Sequence, residues 1–554
     1  MKMNRKLYAT ATIMSTALLL FTACSGKSLD QASSKPSSTD AGMSSATPAT
    51  KRGNIAVSIY DRGNIPAEEG TVVNNRWTKW VNEKGPANVT FVPIARADSV
   101  KKFNVLIASN SAPDLIMEYD TNFRNQLYAN KSIIPLDDLI AKYSTNYKKL
   151  LDEYPQLKKA GIKSDGKLYE VGRVSPALPQ DALVIRKDWL KKLNLSVPTN
   201  VDELYQVLKA FADKDPDGDG VKNTFGISMV GVGAGTSVGP GSALALDVIF
   251  QNVGWVLDNG KVVRDWDRLK AATEFKKKLF DEGIVDKDYL TDKNGEKAKQ
   301  SFLNGKLGMY YMNQATFEAL KKNVPDAELT AIPLPKSPFG QFSLMVSNPI
   351  QMDGVVNANA KDPEAIMKYI DFMSDPQNYT ILKNGTEGVH FKKGDNGCPQ
   401  ILDAEKFKKE VSWTGDLQML ISGIKLGQCA NVLSQLNPDI PIQKEYMNLY
   451  KEAMDNVKPE TPVPWIVGHP EHMPSYPQDL TVVATNAEKA VTDAAVKSIV
   501  SGSSYSVDQA IKDAKDAWDK AGGKKLEEFY AKWYEDNKNT AFLPKDIYSF
   551  TLKK

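Results

Sequence analysis

The sequence predicts an α/β protein with a largely parallel sheet. Three short apolar runs, at residues 55–60, 89–94 and 113–117, have the patterns of strands. The stretches between them, 74–81 and 100–107, have helical character. Strands that alternate with helices are joined by crossover connections, which make neighbouring strands parallel. The body that follows residue 50 is long enough for about two to four domains.

The N-terminal residues predict an export leader. Three basic residues form a charged start, and an almost uncharged apolar run follows over residues 7–21. This run is shorter than the roughly 20 residues that a membrane-spanning helix needs, so anchoring has to come from elsewhere. Ala23-Cys24 resembles the lipobox of bacterial lipoproteins, in which the leader is cut before the cysteine and the thiol carries lipid, including palmitate. We therefore expect residues 1–23 to be a lipoprotein signal peptide and Cys24 to be lipidated. The alternative is an ordinary secretory leader.

Residues 24–53 predict a disordered tether. They are rich in Ser, Ala, Thr, Gly and Pro and have no apolar periodicity, so they cannot bury enough surface to offset the entropy of ordering. A flexible coil of about 26 residues reaches roughly 25–30 Å. The tether would therefore hold the body clear of a membrane.

The charge balance argues against a nucleic-acid partner. The whole chain has 70 Lys and Arg against 67 Asp and Glu. Removing residues 1–23 takes away three bases and no acids, which leaves 67 of each. Nucleic-acid binding calls for a basic domain or stripe, and this composition indicates neither.

The carboxyl ends of the predicted strands provide the first candidate binding residues. Ligands of open α/β sheets meet the loops beyond those ends. The residues at these positions are Tyr60, Asp61, Arg62, Tyr119 and Asp120. The alternative for each is an ordinary polar loop residue.

A predicted helix leads into the most chemically specific loop of the chain. The spacing of Leu204, Val207, Leu208 and Phe211 gives one apolar face, and Thr199 with Asp202 fits a capping box at the start. The acidic loop after this helix resembles an EF-hand calcium loop, with Gly220 at the sharp turn. Its candidate ligands are Asp215, Asp217, Asp219, the backbone carbonyl of Val221 and the side chain of Asn223. We expect a structural Ca²⁺ here, since three crowded carboxylates repel one another without a cation. The alternative is a solvated acidic turn.

Two other features stay open at this stage. Five glycines between residues 231 and 241 predict a mobile loop rather than a phosphate cradle, because no Lys-Ser/Thr follows them. Cys398 and Cys429 are too few for a disulfide framework, and the sequence favours two isolated thiols over a pair.

The order of these parts resembles that of the extracellular solute-binding proteins of bacterial ABC importers, family 1. The most similar branch contains the lipoprotein-A-like and alginate-binding proteins. The segments that carry the resemblance are 185–190, 198–199 with 202–204, 215–220, 304–309 and 384–391. The resemblance implies two α/β lobes in a periplasmic-binding-protein-like fold, with hinge strands between them and a helical C-terminal region. The implied lobes span about 54–182 with 340–410 and about 183–339 with 411–554.

The resemblance also implies a function. A monomer on the extracellular face of the cell membrane, in a Gram-positive-type bacterium, would trap an oligosaccharide between its lobes and deliver it to an ABC permease. Sugar rings stack on aromatic faces, while charged and amide groups bond the hydroxyls. Beyond the strand-end residues, the candidates are the platforms Trp77, Trp255, Tyr310, Tyr311 and Trp413 and the polar side chains Asn313 and Glu387.

Two other functions are compatible with the sequence. The solute could be a peptide or another small molecule, or the chain could be an anchored extracellular carbohydrate-active enzyme. No G-x-S-x-G or H-E-x-x-H motif occurs, and no pair of carboxylates is singled out. The sequence therefore favours a binding protein over an enzyme.

Overall fold

The computed structural model describes residues 52–230, 242–292 and 295–552. The predicted signal peptide, Cys24, almost all of the predicted tether and the glycine cluster lie outside these residues. The strands are β1 Gly53–Asp61, β2 Ala87–Ala95, β3 Leu115–Met117, β4 Glu170–Val174, β5 Ala182–Arg186, β6 Phe225–Ile227, β7 Trp255–Asp258, β8 Lys261–Arg264, β9 Leu307–Met312, β10 Leu329–Ala331, β11 Ile350–Val356, β12 Phe391–Lys393 and β13 Pro399–Ile401.

The α-helices are α1 Arg76–Lys84, α2 Ser99–Ala108, α3 Thr121–Ala129, α4 Asp137–Tyr143, α5 Asn146–Glu153, α6 Pro155–Gly161, α7 Lys187–Lys192, α8 Val201–Asp213, α9 Ser242–Ile249, α10 Trp266–Asp281, α11 Glu296–Leu303, α12 Gln314–Asn323, α13 Pro363–Met373, α14 Pro376–Asn384, α15 Ala404–Glu410, α16 Pro441–Asp455, α17 Gln478–Val500, α18 Val507–Ala521, α19 Gly523–Asn537 and α20 Pro544–Ile547.

The first sheet has five strands in the order β2-β1-β3-β11-β4. β1 is parallel to β2 and β3, and β11 is antiparallel to both β3 and β4, so β1, β3 and β4 point the same way. Val57 and Ile59 are buried on one face of β1, while Ser58 and Tyr60 are buried on the other. Burial of both faces is typical of a sheet between layers of helices. The carboxyl ends of β1, β2, β3 and β4 therefore meet at one edge.

The second sheet has the order β10-β5-β9-β6, with β5 antiparallel to both of its neighbours and β6 parallel to β9. The predicted apolar face of α8 is buried against it. Phe211 lies so close to β9 that a Cβ on Gly308 would be 2.2 Å from its ring. The predicted Thr199–Asp202 capping box is wrong by one residue. Asn200 caps α8 instead, and its Oδ1 accepts the N–H groups of Asp202 and Glu203 at 3.1 and 3.0 Å.

The chain passes between the two sheets through residues 175–181 and again through 332–349. These crossing segments lie side by side, since the Ser347 N–H donates to the Leu178 carbonyl at 2.8 Å. Each sheet has its own apolar core, with Leu115 in one and Met309 in another. The two lobes and the hinge strands between them are thus confirmed.

The apolar cores bear on the predicted lobe boundaries. Buried side chains between residues 411 and 421, together with Phe550, pack in the core of the first sheet. The predicted boundaries assign both segments to the C-terminal lobe. Long-range packing places these two segments beside the first sheet, and a local sequence pattern does not report such packing.

The C-terminal region is helical, as predicted. α17, α18 and α19 pack on one another around Trp518 and Leu526, and α10 of the second lobe packs against α17 and α18. Trp255 and Trp266 of the second lobe contact the Trp518 ring, each with a centroid distance of 6.0 Å. This helical region is therefore joined to the second lobe.

Cys398 and Cys429 form a disulfide, with their Cα atoms 5.3 Å apart, which corrects the preference for two isolated thiols. Thirty-one positions of sequence separate them, so only the tertiary fold brings them together. Among the helices of the described residues, none combines the length and apolar character needed to cross a bilayer.

Candidate functional site

Two stacked tyrosines lie at the carboxyl edge of the first sheet. Tyr60 is near the end of β1 and Tyr119 closely follows β3, and their ring centroids are 5.7 Å apart with the planes inclined by 24°. The Tyr60 hydroxyl accepts the backbone N–H of Tyr119 at 3.2 Å. The Arg96 guanidinium lies 4.6 Å from the Tyr60 ring centroid and 5.6 Å from that of Tyr119. Burial raises the pKa of both phenols, so both stay neutral.

A cavity of about 500 Å³, the first cavity, opens beside Tyr119. Its lining combines aromatic faces with cationic, amide and hydroxyl groups. The lining side chains are Arg62, Asn64, Tyr119, Arg173, Ser175, Tyr379, Lys383, Ser412, Trp413, Asp416, Gln418 and Ile421. Such a mixture suits a ligand with both apolar faces and polar edges.

The two arginines of the first cavity have different partners. Arg62 forms a bidentate pair with Asp416, with N–O distances of 2.7 and 2.9 Å. Arg173 donates to Gln351 Oε1 at 2.7 Å and to the Gln418 carbonyl at 3.3 Å, and it lies 5.8 Å from the Tyr119 ring centroid. Because Arg173 is in β4 and Gln351 in β11, this side chain joins the strands next to the hinge segments.

A second cavity of about 930 Å³ lies between α3, α6, the start of β11 and residues 471–475 and 533–546 of the C-terminal region. Tyr119 lines both cavities, and together we call them the groove. One wall of the second cavity belongs to the first lobe. The facing wall includes Trp533 of the helical region, which is joined to the second lobe. The second cavity therefore lies where the first lobe faces the helical region, and the first cavity is lined by residues of the first lobe.

Buried charges support the walls of the groove. Arg124 Nε lies 2.9 Å from Glu170 Oε2, and the Lys163 ammonium contacts the other oxygen of Glu170. Asp353 in β11 is fully buried, and its nearest cationic atom is Arg173 Nε at 3.7 Å. Burial raises the pKa of Asp353 to about 7.

Several of the predicted binding residues do come together. Arg62, Tyr119 and Trp413 line the first cavity, and Tyr60 is buried beneath Tyr119. Asp61 ends β1 and is exposed, and its Oδ1 accepts the Gly63 N–H at 3.0 Å. The remaining predicted residues lie elsewhere.

Those other candidates line neither cavity. Trp77 is a core side chain whose indole N–H donates to the Glu410 carbonyl at 2.7 Å. Trp255 packs on Tyr530 at 4.8 Å, and Tyr310 stacks on Phe302 at 4.6 Å. The last four are the buried Tyr311, the helix caps Asp120 and Asn313, and Glu387, which pairs with Lys393 on the surface.

Sequence reasoning missed three charged residues of the first cavity. Arg173 ends a strand parallel to β1 and β3, so the rule that selected Tyr60 would have selected it, had β4 been recognised. Lys383 is on α14 and Asp416 lies in a short 3₁₀ turn. No local pattern distinguishes those two from surface charges.

The acidic loop has the donor set of a calcium site. Carboxylate oxygens of Asp215, Asp217 and Asp219 lie within 4.8 Å of one another. Asp217 Oδ1 and Asn223 Oδ1 are buried, with no hydrogen-bond partner among the described residues. The Lys306 ammonium contacts Asp217 and is 2.5 Å from Asp219 Oδ2, and this contact lowers the pKa of Asp219 to about 2. The orphaned oxygens are hard ligands of the kind that Ca²⁺ prefers, so the residues fit the ion.

Comparison with known proteins identifies the family. The sequence profile described as "Bacterial extracellular solute-binding protein" matches residues 72–380, more than half of the chain. The protein belongs to this family. It is therefore an extracellular solute-binding protein by descent, and the groove is the candidate solute site.

Three relatives are informative. Polygalacturonan/rhamnogalacturonan-binding protein YtcQ of Bacillus subtilis is 27% identical over 467 residues, which cover 81% of this chain and 86% of YtcQ. Lipoprotein LipO of the same species is 26% identical over 55% of this chain and 62% of LipO. Fructooligosaccharide ABC transporter substrate-binding protein FusA of Streptococcus pneumoniae is 30% identical over 53% of this chain and 56% of FusA.

A solved structure of FusA with kestose confirms the fold. It matches 87% of this chain and 99% of the FusA chain with a TM-score of 0.63 and 21% identity. FusA has also been solved as an EF-hand mutant in complex with fructo-nystose. The α/β architecture with a periplasmic-binding-protein-like arrangement is thus shared.

Proposed function

We propose that this protein captures an oligosaccharide in the groove and delivers it to the permease of an ABC importer. The observation that carries the proposal is the first cavity, where the aromatic side chains of Tyr119 and Trp413 line the wall beside hydrogen-bonding side chains. The flat faces of sugar rings stack on aromatic side chains while their hydroxyls bond to charged and amide groups. The names of YtcQ and FusA, which specify saccharides, support this choice of solute.

The lobes would close on the solute, since a ligand that contacts both walls binds the closed state more tightly. We propose a first lobe of residues 54–177 with 346–431, and a second lobe of 182–344 with 432–455 and the helical region. These boundaries follow the membership of the apolar cores. The hinge segments 175–181 and 332–349 would then carry the motion.

A lipid anchor on Cys24 would keep the protein at the outer face of the cell membrane. The charged start, the apolar run and Ala23-Cys24 support it, as does the similarity to Lipoprotein LipO. An acyl chain contributes about 0.8 kcal/mol of membrane affinity per buried methylene, and stable anchoring takes more than one chain. A lipidated Cys24 supplies these chains, and the tether lets the body reach the permease.

The acidic loop would hold Ca²⁺ as a structural ion. Asp215, Asp217, Asp219 and Asn223 would bind it through side-chain oxygens, and Val221 through its carbonyl. The ion would neutralise the carboxylates and so stabilise the connection between α8 and β6. Lys306 at the start of β9 neutralises part of the remaining charge.

The experiment is a thermal-shift and calorimetric screen of the secreted chain against defined oligosaccharides. We expect at least one to raise the melting temperature by mass action and to be recovered unaltered. Tyr119→Ala should weaken its binding. Tyr205→Ala is the control, because Tyr205 of α8 donates its hydroxyl to Glu282 and lines neither cavity. Binding that survives Tyr119→Ala would exclude the groove, and hydrolysis of the glycan would indicate an enzyme.

A further inference from the structure

The charge of the groove differs from that of the whole molecule. Residues 24–554 have equal numbers of basic and acidic side chains. The first cavity is nevertheless lined by Arg62, Arg173 and Lys383 against a single carboxylate, Asp416. A local excess of positive charge at a binding site selects for anionic ligands.

Of the three cations of the first cavity, Lys383 has no ion-pair partner among the described residues, and Arg173 has only Asp353, at 3.7 Å. Asp416 is already held by Arg62 in the bidentate pair. Lys383 forms no ion pair with a described residue, and its ammonium lies 5.4 Å from the Tyr379 ring centroid. Arg173 donates only to neutral oxygens, and the closest carboxylate, Asp353, makes no hydrogen bond to it. The distance of 3.7 Å from Arg173 Nε to Asp353 leaves the guanidinium free to donate charge-assisted hydrogen bonds to a ligand.

The second cavity has the same imbalance. Its lining includes five Lys and Arg side chains and three carboxylates. Glu170 is held between Arg124 and Lys163. Glu471 accepts from the Asn348 amide at 2.5 Å, and Asp546 accepts the Leu543 N–H at 2.8 Å. Lys159 and Lys545 line the same cavity, and neither forms an ion pair with a described residue.

Acidic side chains near the groove do not cancel this excess. Asp61 and Asp120 are at the same sheet edge, but each accepts a backbone N–H of its own turn, at 3.0 and 2.7 Å. Neither lines either cavity. The cationic groups that face the groove are therefore matched only in part by the protein itself.

We propose that the oligosaccharide is acidic, with carboxylates that bind Arg173 and Lys383 while its sugar faces contact Tyr119. This inference rests on the proposed function and names the chemical class of its solute. A guanidinium and an ammonium form strong, charge-assisted hydrogen bonds with carboxylate. A neutral glycan would leave Lys383 without a counter-charge and Arg173 without a charge-assisted hydrogen bond. Lys159 and Lys545 would attract further acidic residues of a longer chain.

The test compares uronic-acid oligosaccharides with their carboxyl-reduced, neutral counterparts of equal length. The probes are oligogalacturonides and oligomannuronates of three to four residues, measured by calorimetry at about 50 and 300 mM salt. We expect the acidic form to bind at least about tenfold more tightly than the reduced form, because each lost charged hydrogen bond has about that effect. The difference should shrink at high salt.

Two substitutions test which side chains cause the preference for the acidic oligosaccharide, namely Lys383→Gln and Arg173→Gln. Each should weaken binding of the acidic oligosaccharide about tenfold and leave binding of the reduced one unchanged. Lys383 is the decisive position if Arg173→Gln does not fold, since Lys383 has no ion-pair partner to lose. Lys101→Gln, whose partner is Asp98 on the surface, is the matched control.

The outcomes separate the two proposals. Equal or tighter binding of the neutral form would overturn the acidic class and leave an oligosaccharide-binding protein. Tighter binding of the acidic form that Lys383→Gln does not change would overturn the assignment of the residues. Absence of binding by acidic and neutral oligosaccharides alike would overturn the proposed function as well.

Discussion

Arg124→Met should strongly destabilise the first lobe, because it breaks a buried ion pair and leaves one member behind. The side chains of Arg124 and Glu170 are 3% and 2% exposed, and their N–O distance is 2.9 Å. Arg124 also donates to the Glu118 carbonyl at 2.6 Å. Removing one partner of such a pair costs about 3–5 kcal/mol of unfolding free energy. We expect about 3 kcal/mol, since Lys163 still contacts Glu170.

The measurement is urea unfolding of the chain without its first 24 residues, followed by tryptophan fluorescence. Lys101→Met is the control, because Lys101 and Asp98 are 85% and 60% exposed and solvent screens the attraction between them. The double variant Arg124→Met with Glu170→Gln should recover part of the loss, since it removes the stranded charge. An Arg124→Met cost no larger than that of the control would refute the reasoning.

Three further predictions concern the calcium loop, the buried carboxyl and the disulfide. A chelator should lower the melting temperature, because an ion present at a hundred times its Kd stabilises the folded protein by about 2.7 kcal/mol. Asp217→Asn should remove most of this response. An unchanged melting temperature of the wild-type protein would argue against bound calcium. Burial raises the pKa of Asp353 to about 7. The contribution of its protonated form to the free energy of unfolding is therefore complete below about pH 4 and is lost as the pH rises through 7. Asp353→Asn should therefore have a flatter urea-midpoint profile between pH 4 and 7, and parallel profiles would contradict this. Replacing Cys398 and Cys429 by Ala should cost about 3–4 kcal/mol, given their separation of 31 residues, and an unchanged urea midpoint would show that the bond adds nothing.

The residues of the candidate site that lie at or just after strand ends could be predicted from the sequence. Tyr60, Arg62 and Tyr119 follow from the rule that ligands meet the carboxyl ends of parallel strands. Trp77 and Tyr311 were predicted as platforms but are buried in the two cores. An aromatic side chain has the same local pattern in a core and at a binding surface, so only packing distinguishes the two uses.

By itself, the sequence determined the α/β class, the apolar face of α8, the helical C-terminal region and the donor set of the acidic loop. These depend on residues within a few turns of one another, whose spacing decides local conformation. The tertiary structure alone decided that Asp416 neutralises Arg62, that Cys398 pairs with Cys429, and that Arg173 and Lys383 line the first cavity. Such contacts join distant parts of the chain, and they exist only once the hinge segments and apolar cores have placed those parts side by side.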